Sequence, residues 1–242
     1  MTQPVGNTDL PPEYAPSVSN VQEDLPPDTL RLASRFIHSA NSPNVDAPGL
    51  YEINHQIDFL RETDTLVEFS RIDYSVRNRN QNSTQPPEIH SHPRHVFNLE
   101  RPPAIVQESF PYYIRPVSRS GLGCIGLKFS KNGRSVCKAW RVGRKANSRT
   151  EDEARELLFE VRTNNHVFDW LDGKQTRIAV EESKDNMYNL TILVALDRAM
   201  RDALVATWCV RLWNSRAVEF HKRRGWKHVQ NIMLNYTSDL PR

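Results

Sequence analysis

Apolar side chains recur at every second position over most of this chain, and at one place they cover a helix on all sides. Segments 50–57, 66–76, 95–99, 112–117, 123–129, 135–142, 157–163, 166–170, 177–181 and 190–195 alternate apolar and polar residues and are rich in Val, Ile, Phe, Tyr and Trp. Alternation of that kind is the signature of strands with one buried face. Asn132-Gly133 and Asp172-Gly173 lie between such segments and predict hairpin turns. Upstream, Pro26-Pro27-Asp28 precedes Leu30, Ala33, Phe36 and Ile37 at spacings of three and four, which predicts a short helix over 24–40.

The most informative run is Leu190 to Trp213. A strand-like stretch leads to Asp197 in the position of a helix N-cap, with Arg198, Arg201 and Asp202 in the first turns and Arg211 near the end. Ala203 to Val210 carry no charge on any side. A helix apolar all round has to be surrounded by protein or lipid. This uncharged stretch is far below the roughly 18 residues that a membrane span needs, so the surroundings must be protein. About ten antiparallel strands followed by such a helix imply a mainly β fold. A closed antiparallel barrel around a central hydrophobic helix meets both demands, because closure removes free edges and the interior needs an apolar filling. The short N-terminal helix at 24–40 is added to it.

Composition divides the chain. Residues 1–24 are rich in Pro, Ser, Asn and Gln and read as a disordered arm, residues 25–213 as the barrel domain, and 214–242 as a basic tail. Within the domain, 78–93 (NRNQNSTQPPEIHSHP) reads as a long disordered loop. The arm contains Pro11-Pro12-Glu13-Tyr14, a PPxY motif. Its prolines pre-set a polyproline II turn and its tyrosine suits the aromatic-lined groove of a WW domain, so Pro11, Pro12 and Tyr14 are the candidate binding residues. Net charge is only +3, yet Lys128 to Arg149 holds eight Lys or Arg and no acid. Lys138, Arg141, Arg144 and Lys145 in that stretch form a candidate patch for anionic lipid or a partner protein, the alternative being a solvated sheet face balanced by acids elsewhere. Nucleic acid is not expected as a partner.

Other motifs carry less chemistry. Three cysteines without CxxC spacing suit a reducing compartment, and no basic and apolar leader opens the chain, so a cytoplasmic location is expected, with peripheral membrane contact through the patch. Gly121, Gly123 and Gly126 spell GxGxxG, but a strand and a turn follow where a dinucleotide site needs a helix. His90, His92 and His95 have no accompanying Cys or carboxylate set, so no metal or other cofactor is expected. Asn214 to Trp226 looks like the C-terminal motif of the GNAT acetyltransferases, with His221 where that family has a tyrosine that often serves as general acid. Their pyrophosphate-binding glycine loop has no counterpart, because Gly173 and Gly225 are the only glycines after Gly143.

Leu196-Asp197-x-x-Met200-Arg201 opening an apolar helix after many strands is similar to the tubby C-terminal-like barrels, among them the LURP-one-related proteins and phospholipid scramblases. More closely, the chain resembles a group of uncharacterised fungal proteins, through segments 25–38, 50–60, 67–77, 153–161 and 200–213, and these often carry a PPxY-bearing start. The resemblance implies the barrel and leaves scramblase activity aside, since no acidic calcium-linked segment is present. The expectation that follows is a non-enzymatic adaptor, linking a WW-domain protein such as a HECT-type ubiquitin ligase to anionic membrane or a second protein. An acetyltransferase and a structural protein without a ligand are the alternatives.

Overall fold

The alternation becomes strands wherever it is strongest. The computed structural model describes residues 24–41, 49–61, 63–77, 88–103, 105–106, 108–118, 122–130, 135–144, 152–165, 167–184 and 187–238. In chain order the elements are β1 (Asp24–Leu25), β2 (Asp28–Ala33), β3 (Phe36–Ser39), β4 (Tyr51–Ile53), a 3-10 turn (Ile57–Phe59), β5 (Leu66–Arg77), β6 (Glu88–Glu100), β7 (Tyr112–Pro116) and β8 (Ile125–Phe129). They continue with β9 (Ser135–Arg144), β10 (Asp152–Asn164), β11 (Val167–Asp172), β12 (Arg177–Lys184), β13 (Met187–Ile192), β14 (Leu196–Asp197) and α1 (Arg198–Ser238). Twelve strands, β2 to β13, close into one barrel in which each strand pairs antiparallel with its sequence neighbour and β2 closes the ring against β13. β1 and β14 form a separate two-stranded ribbon, Asp24 opposite Asp197 and Leu25 opposite Leu196.

The ten strands expected from Leu50 onward all form, and the two further barrel strands come from the segment expected to be a helix. That expectation is corrected: residues 28–39 are the β2–β3 hairpin. Leu30 and Leu32 alternate inward with Arg31 and Ala33 outward, and this period-two pair prevails over the helical spacing to Ala33 and Phe36. The turn is Ser34-Arg35, with Ser34 in the left-handed region at φ 58°, a conformation that a serine does not advertise as Asn-Gly would. A strand here is required by closure, since Leu30 and Leu32 face Leu190 and Tyr188 of β13.

Residues 88–93, placed in the loop by their polarity, are also corrected. They extend β6 and pair with 72–77 of β5, leaving 78–87 outside the described residues. The Asp172-Gly173 hairpin joins β11 to β12 as expected. Asp172 Oδ1 accepts the backbone N–H of Lys174 (2.9 Å) and of Thr176 (2.8 Å). Gly173 is needed because a Cβ there would fall 2.4 Å from the Leu157 carbonyl oxygen.

α1 threads the barrel. Asp197 caps it, its Oδ1 accepting the Met200 N–H at 2.9 Å. Every residue from Arg201 to Trp213 is buried, and Leu204, Trp208 and Leu212 sit in one core with Phe69, Phe97, Phe159 and Trp170 of the wall. Each such side chain contributes roughly 1.5–3 kcal/mol by leaving water. The helix does not stop at Trp213, where the basic tail was expected to begin. It continues to Ser238, and the side chains from 220 onward lie outside the described residues. Among the described residues no helix is long and apolar enough to cross a membrane.

Candidate functional site

Residues 1–23, and with them Pro11, Pro12 and Tyr14, lie outside the described residues. The basic stretch can be placed in part. β9 carries Lys138, Arg141 and Arg144, and its antiparallel register with β10 sets Lys138 opposite Glu160, Arg141 opposite Glu156 and Arg144 opposite Asp152. Lys138 Nζ lies 3.6 Å from Glu160, and Arg141 Nη1 lies 3.2 Å from Glu156. A run free of acids in sequence is therefore matched by an acidic run on the next strand. Cross-strand pairs of this exposure are each worth little, about 0–1 kcal/mol, but they occupy the cations. The side chain of Arg144 and all of Lys145 lie outside the described residues.

Glu160 is the centre of that ladder. Burial alone would raise its carboxyl, but hydrogen bonds from Arg162, Gln175 and Ser135 and the Lys138 charge outweigh burial and hold it at about 2. A carboxyl lowered on folding contributes stability that is present above its unfolded value near 4.5 and lost as pH falls toward 2. Unfolding followed between pH 5 and pH 3 should therefore show wild type losing about 1–3 kcal/mol more than Glu160→Gln. Parallel acid profiles of the two proteins would contradict this.

A second set of charges is buried where α1 begins, at residues whose positions predict only a helix boundary. Asp202, on the first turns of α1, accepts hydrogen bonds from Tyr51 Oη (3.0 Å) and Arg71 Nη1 (2.7 Å). Arg71 Nε also bonds Asp73 at 2.8 Å. Arg201 Nη2 meets Asp28 at 3.0 Å, and its Nη1 donates to the Pro26 carbonyl at 2.9 Å. Burial pushes the Asp202 carboxyl and the Tyr51 hydroxyl up, while the bond from Arg71 holds Asp73 down. The signal available in the sequence was the Arg201-Asp202 pair itself, two charges entering a helix that must be enclosed.

Two clefts border this first turn. One, of about 580 Å³, is lined by Tyr51, Arg71, Asp73, Arg198 and Arg201. Its charges are used on one another: Arg71 and Arg201 are committed to Asp202, Asp73 and Asp28, and the exposed Arg198 stands beside them. The other, of about 740 Å³, lies between Glu156–Phe159 of β10 and Val194–Asp197, with Ile178 and Met200 on its floor.

The remaining motifs are described in part, with Gly121 and the Asn132-Gly133 turn outside the described residues. Gly126 lies in β8 beneath the Phe110 ring, which a Cβ would approach to 2.6 Å, and Gly123 bends the chain at φ 68°. His90 and His92 sit on one face of β6 with ring centroids 6.4 Å apart, and no group of three or more metal-ligating side chains occurs among the described residues. Burial pushes the thiols up, to about 11 at Cys124 and about 12 at Cys137, and Cys209 is raised further. These are thiols disposed to packing, not nucleophilic attack. Asn214 to Trp226 lies inside one continuous helix, and the sheet among the described residues is a closed barrel with a two-stranded ribbon.

What these observations define is a class: an antiparallel barrel of tubby-like form, closed upon the helix that follows its strands. No family model, curated protein or solved structure matches the chain, so its class rests on this architecture.

Proposed function

We propose that the protein is a non-enzymatic adaptor with a tubby-like barrel, related to the fungal group whose segments it resembles. One observation carries this reading: the space in which an open barrel holds a ligand is filled by α1, with Arg201 to Trp213 wholly buried. Recognition then falls to the outer surface and to the arm. Pro11, Pro12 and Tyr14 engage a WW domain, such as those of HECT-type ubiquitin ligases, through a preset polyproline II turn. Pull-down with isolated WW domains should retain the wild-type chain and lose Tyr14→Ala. Equal retention of both, or of neither, removes this half of the proposal.

The other half is contact with an anionic phospholipid surface or an acidic partner through Lys138, Arg141, Arg144 and Lys145. Lys138 and Arg141 are shared with Glu160 and Glu156, and Arg144 stands opposite Asp152, so the attraction is that of the whole basic run from Lys128 to Arg149 and small at any one cation. Flotation with phosphoinositide vesicles should accordingly occur at low salt, fade near physiological ionic strength, and weaken on charge reversal of Arg144 and Lys145.

A further inference from the structure

We propose that the part of α1 beyond the barrel is a docking helix for an acidic protein partner with an apolar groove. α1 is 41 residues long, and among the described residues Ala217 is the last that is buried. At about 1.5 Å per residue, the stretch from Val218 to Ser238 runs about 30 Å further. Val218 is 37% exposed and opens one side of this stretch. Trp226, Val229, Met233 and Tyr236 follow at spacings of three, four and three, with Ile232 beside them, and those spacings place them on the same side of the helix. Arg223, Arg224, Lys227 and His228 take positions on the opposite side, and Lys222 is the one charge on the apolar side. No Asp or Glu occurs between 220 and 238.

An apolar stripe on a helix that has left its barrel gains by burial, and the receptor that fits it is a groove taking anchors spaced at three and four residues. Charge selects which groove. Lys222, Arg223, Arg224 and Lys227 stand with His221 and His228 against no carboxylate in the same stretch, so the rim of the groove must be acidic. A second copy of the chain would bring four more Lys and Arg to the contact and no acid. A lipid surface fits less well. The cations end at Lys227 and the polar side continues as Gln230, Asn231 and Asn235, whereas a helix lying among anionic headgroups is held by cations along its length. The barrel offers further apolar surface where α1 emerges. Phe59 is 74% and Met187 46% exposed, and their sequence neighbours Asp58 and Tyr188 meet Arg216 of the helix. This site is separate from the WW ligand and from the basic run of β9, and it stands or falls apart from them.

The probe is calcium-loaded calmodulin, an acidic protein whose methionine-lined groove opens when calcium binds, used with the full chain. Calorimetric titration at about 0.15 M salt should give saturable binding that chelation of the calcium abolishes. Val229→Asp and Met233→Asp should each weaken it by about tenfold or more, and leave the melting temperature near wild type because both positions lie beyond the barrel. Arg223→Glu combined with Lys227→Glu should weaken it likewise and flatten its dependence on salt. Tyr14→Ala and charge reversal of Arg144 and Lys145 should leave it unchanged, so this site can fail while the adaptor reading holds, and the reverse. No saturable binding, equal binding without calcium, or full binding by both aspartate variants would overturn the proposal. A chain that sediments as a dimer until Met233→Asp dissociates it would assign the face to a second copy. Binding to phosphatidylserine vesicles that the same variants abolish, without binding to calmodulin, would assign it to a membrane. Either of these results also overturns the proposal.

Discussion

Arg211→Met should lower the unfolding free energy by about 3–5 kcal/mol, one of the two largest effects expected of any single change in this protein. Arg211 is 6% exposed and its ion-pair partner Glu181 is fully buried, so the contact spans from the central helix to β12 of the wall beneath the surface. Trp170 Nε1 donates to the other carboxylate oxygen at 3.3 Å, and the guanidinium lies 4.3 Å from the centre of the Phe168 ring. Burial pulls the Arg211 guanidinium down to about 10, which still leaves it charged at neutral pH. Removing it strands a carboxylate among apolar groups, and an uncompensated buried charge costs far more than a missing surface pair. The double change Arg211→Met with Glu181→Leu should recover most of the loss, since the charges then leave together. Chemical denaturation of the two single variants and the double measures the coupling. A single variant within 1 kcal/mol of wild type would show that water reaches the pair.

Trp208→Ala is the second. The indole is wholly buried at the middle of the enclosed helix, and truncating a large core side chain to Ala costs about 3–5 kcal/mol through lost burial and the cavity left behind. A contrast within the same position sharpens the expectation. The Trp208 Nε1 finds no acceptor among the described residues, so Trp208→Phe discards an unsatisfied N–H along with some volume and should cost about 1 kcal/mol or less. Equal losses for Ala and Phe would mean that the N–H does have a partner.

Much of this architecture is legible in the residues because a barrel wall repeats a simple rule. Tyr112, Leu127, Ala139 and Leu190 sit at alternate positions of strands with one face inward, and every expected strand from Leu50 onward forms. Leu30 and Leu32 obey the same rule but lie in a segment whose prolines and three-residue spacings imitate a helix start. Only the distant partners Leu190 and Tyr188 decide between the two, and a local reading cannot see them. The charges are harder still. Lys138 and Arg141 look free until the register of β10 brings Glu160 and Glu156 opposite. Arg201, Asp202 and Arg211 look like the exposed ends of a helix until Asp28, Arg71 and Glu181 meet them from strands up to 173 residues away in sequence. Pattern tells which face is dry, whereas tertiary pairing tells which charges can survive there.

The closure of β2 on β13 has a consequence in time as well as space. Residues 28–32 must await 188–192, and the filling of the barrel follows after that, in α1. During synthesis from the N-terminus, twelve strands' worth of inward-facing Leu, Ile, Phe and Tyr emerge before the helix that covers them. Contacts so distant in sequence make the search slow, and a wall without its filling exposes apolar surface to other nascent chains. The protein's most vulnerable moment is therefore the interval between the release of Ile192 and that of Trp213, and a chaperone acting on it would serve chiefly as a temporary stand-in for the helix.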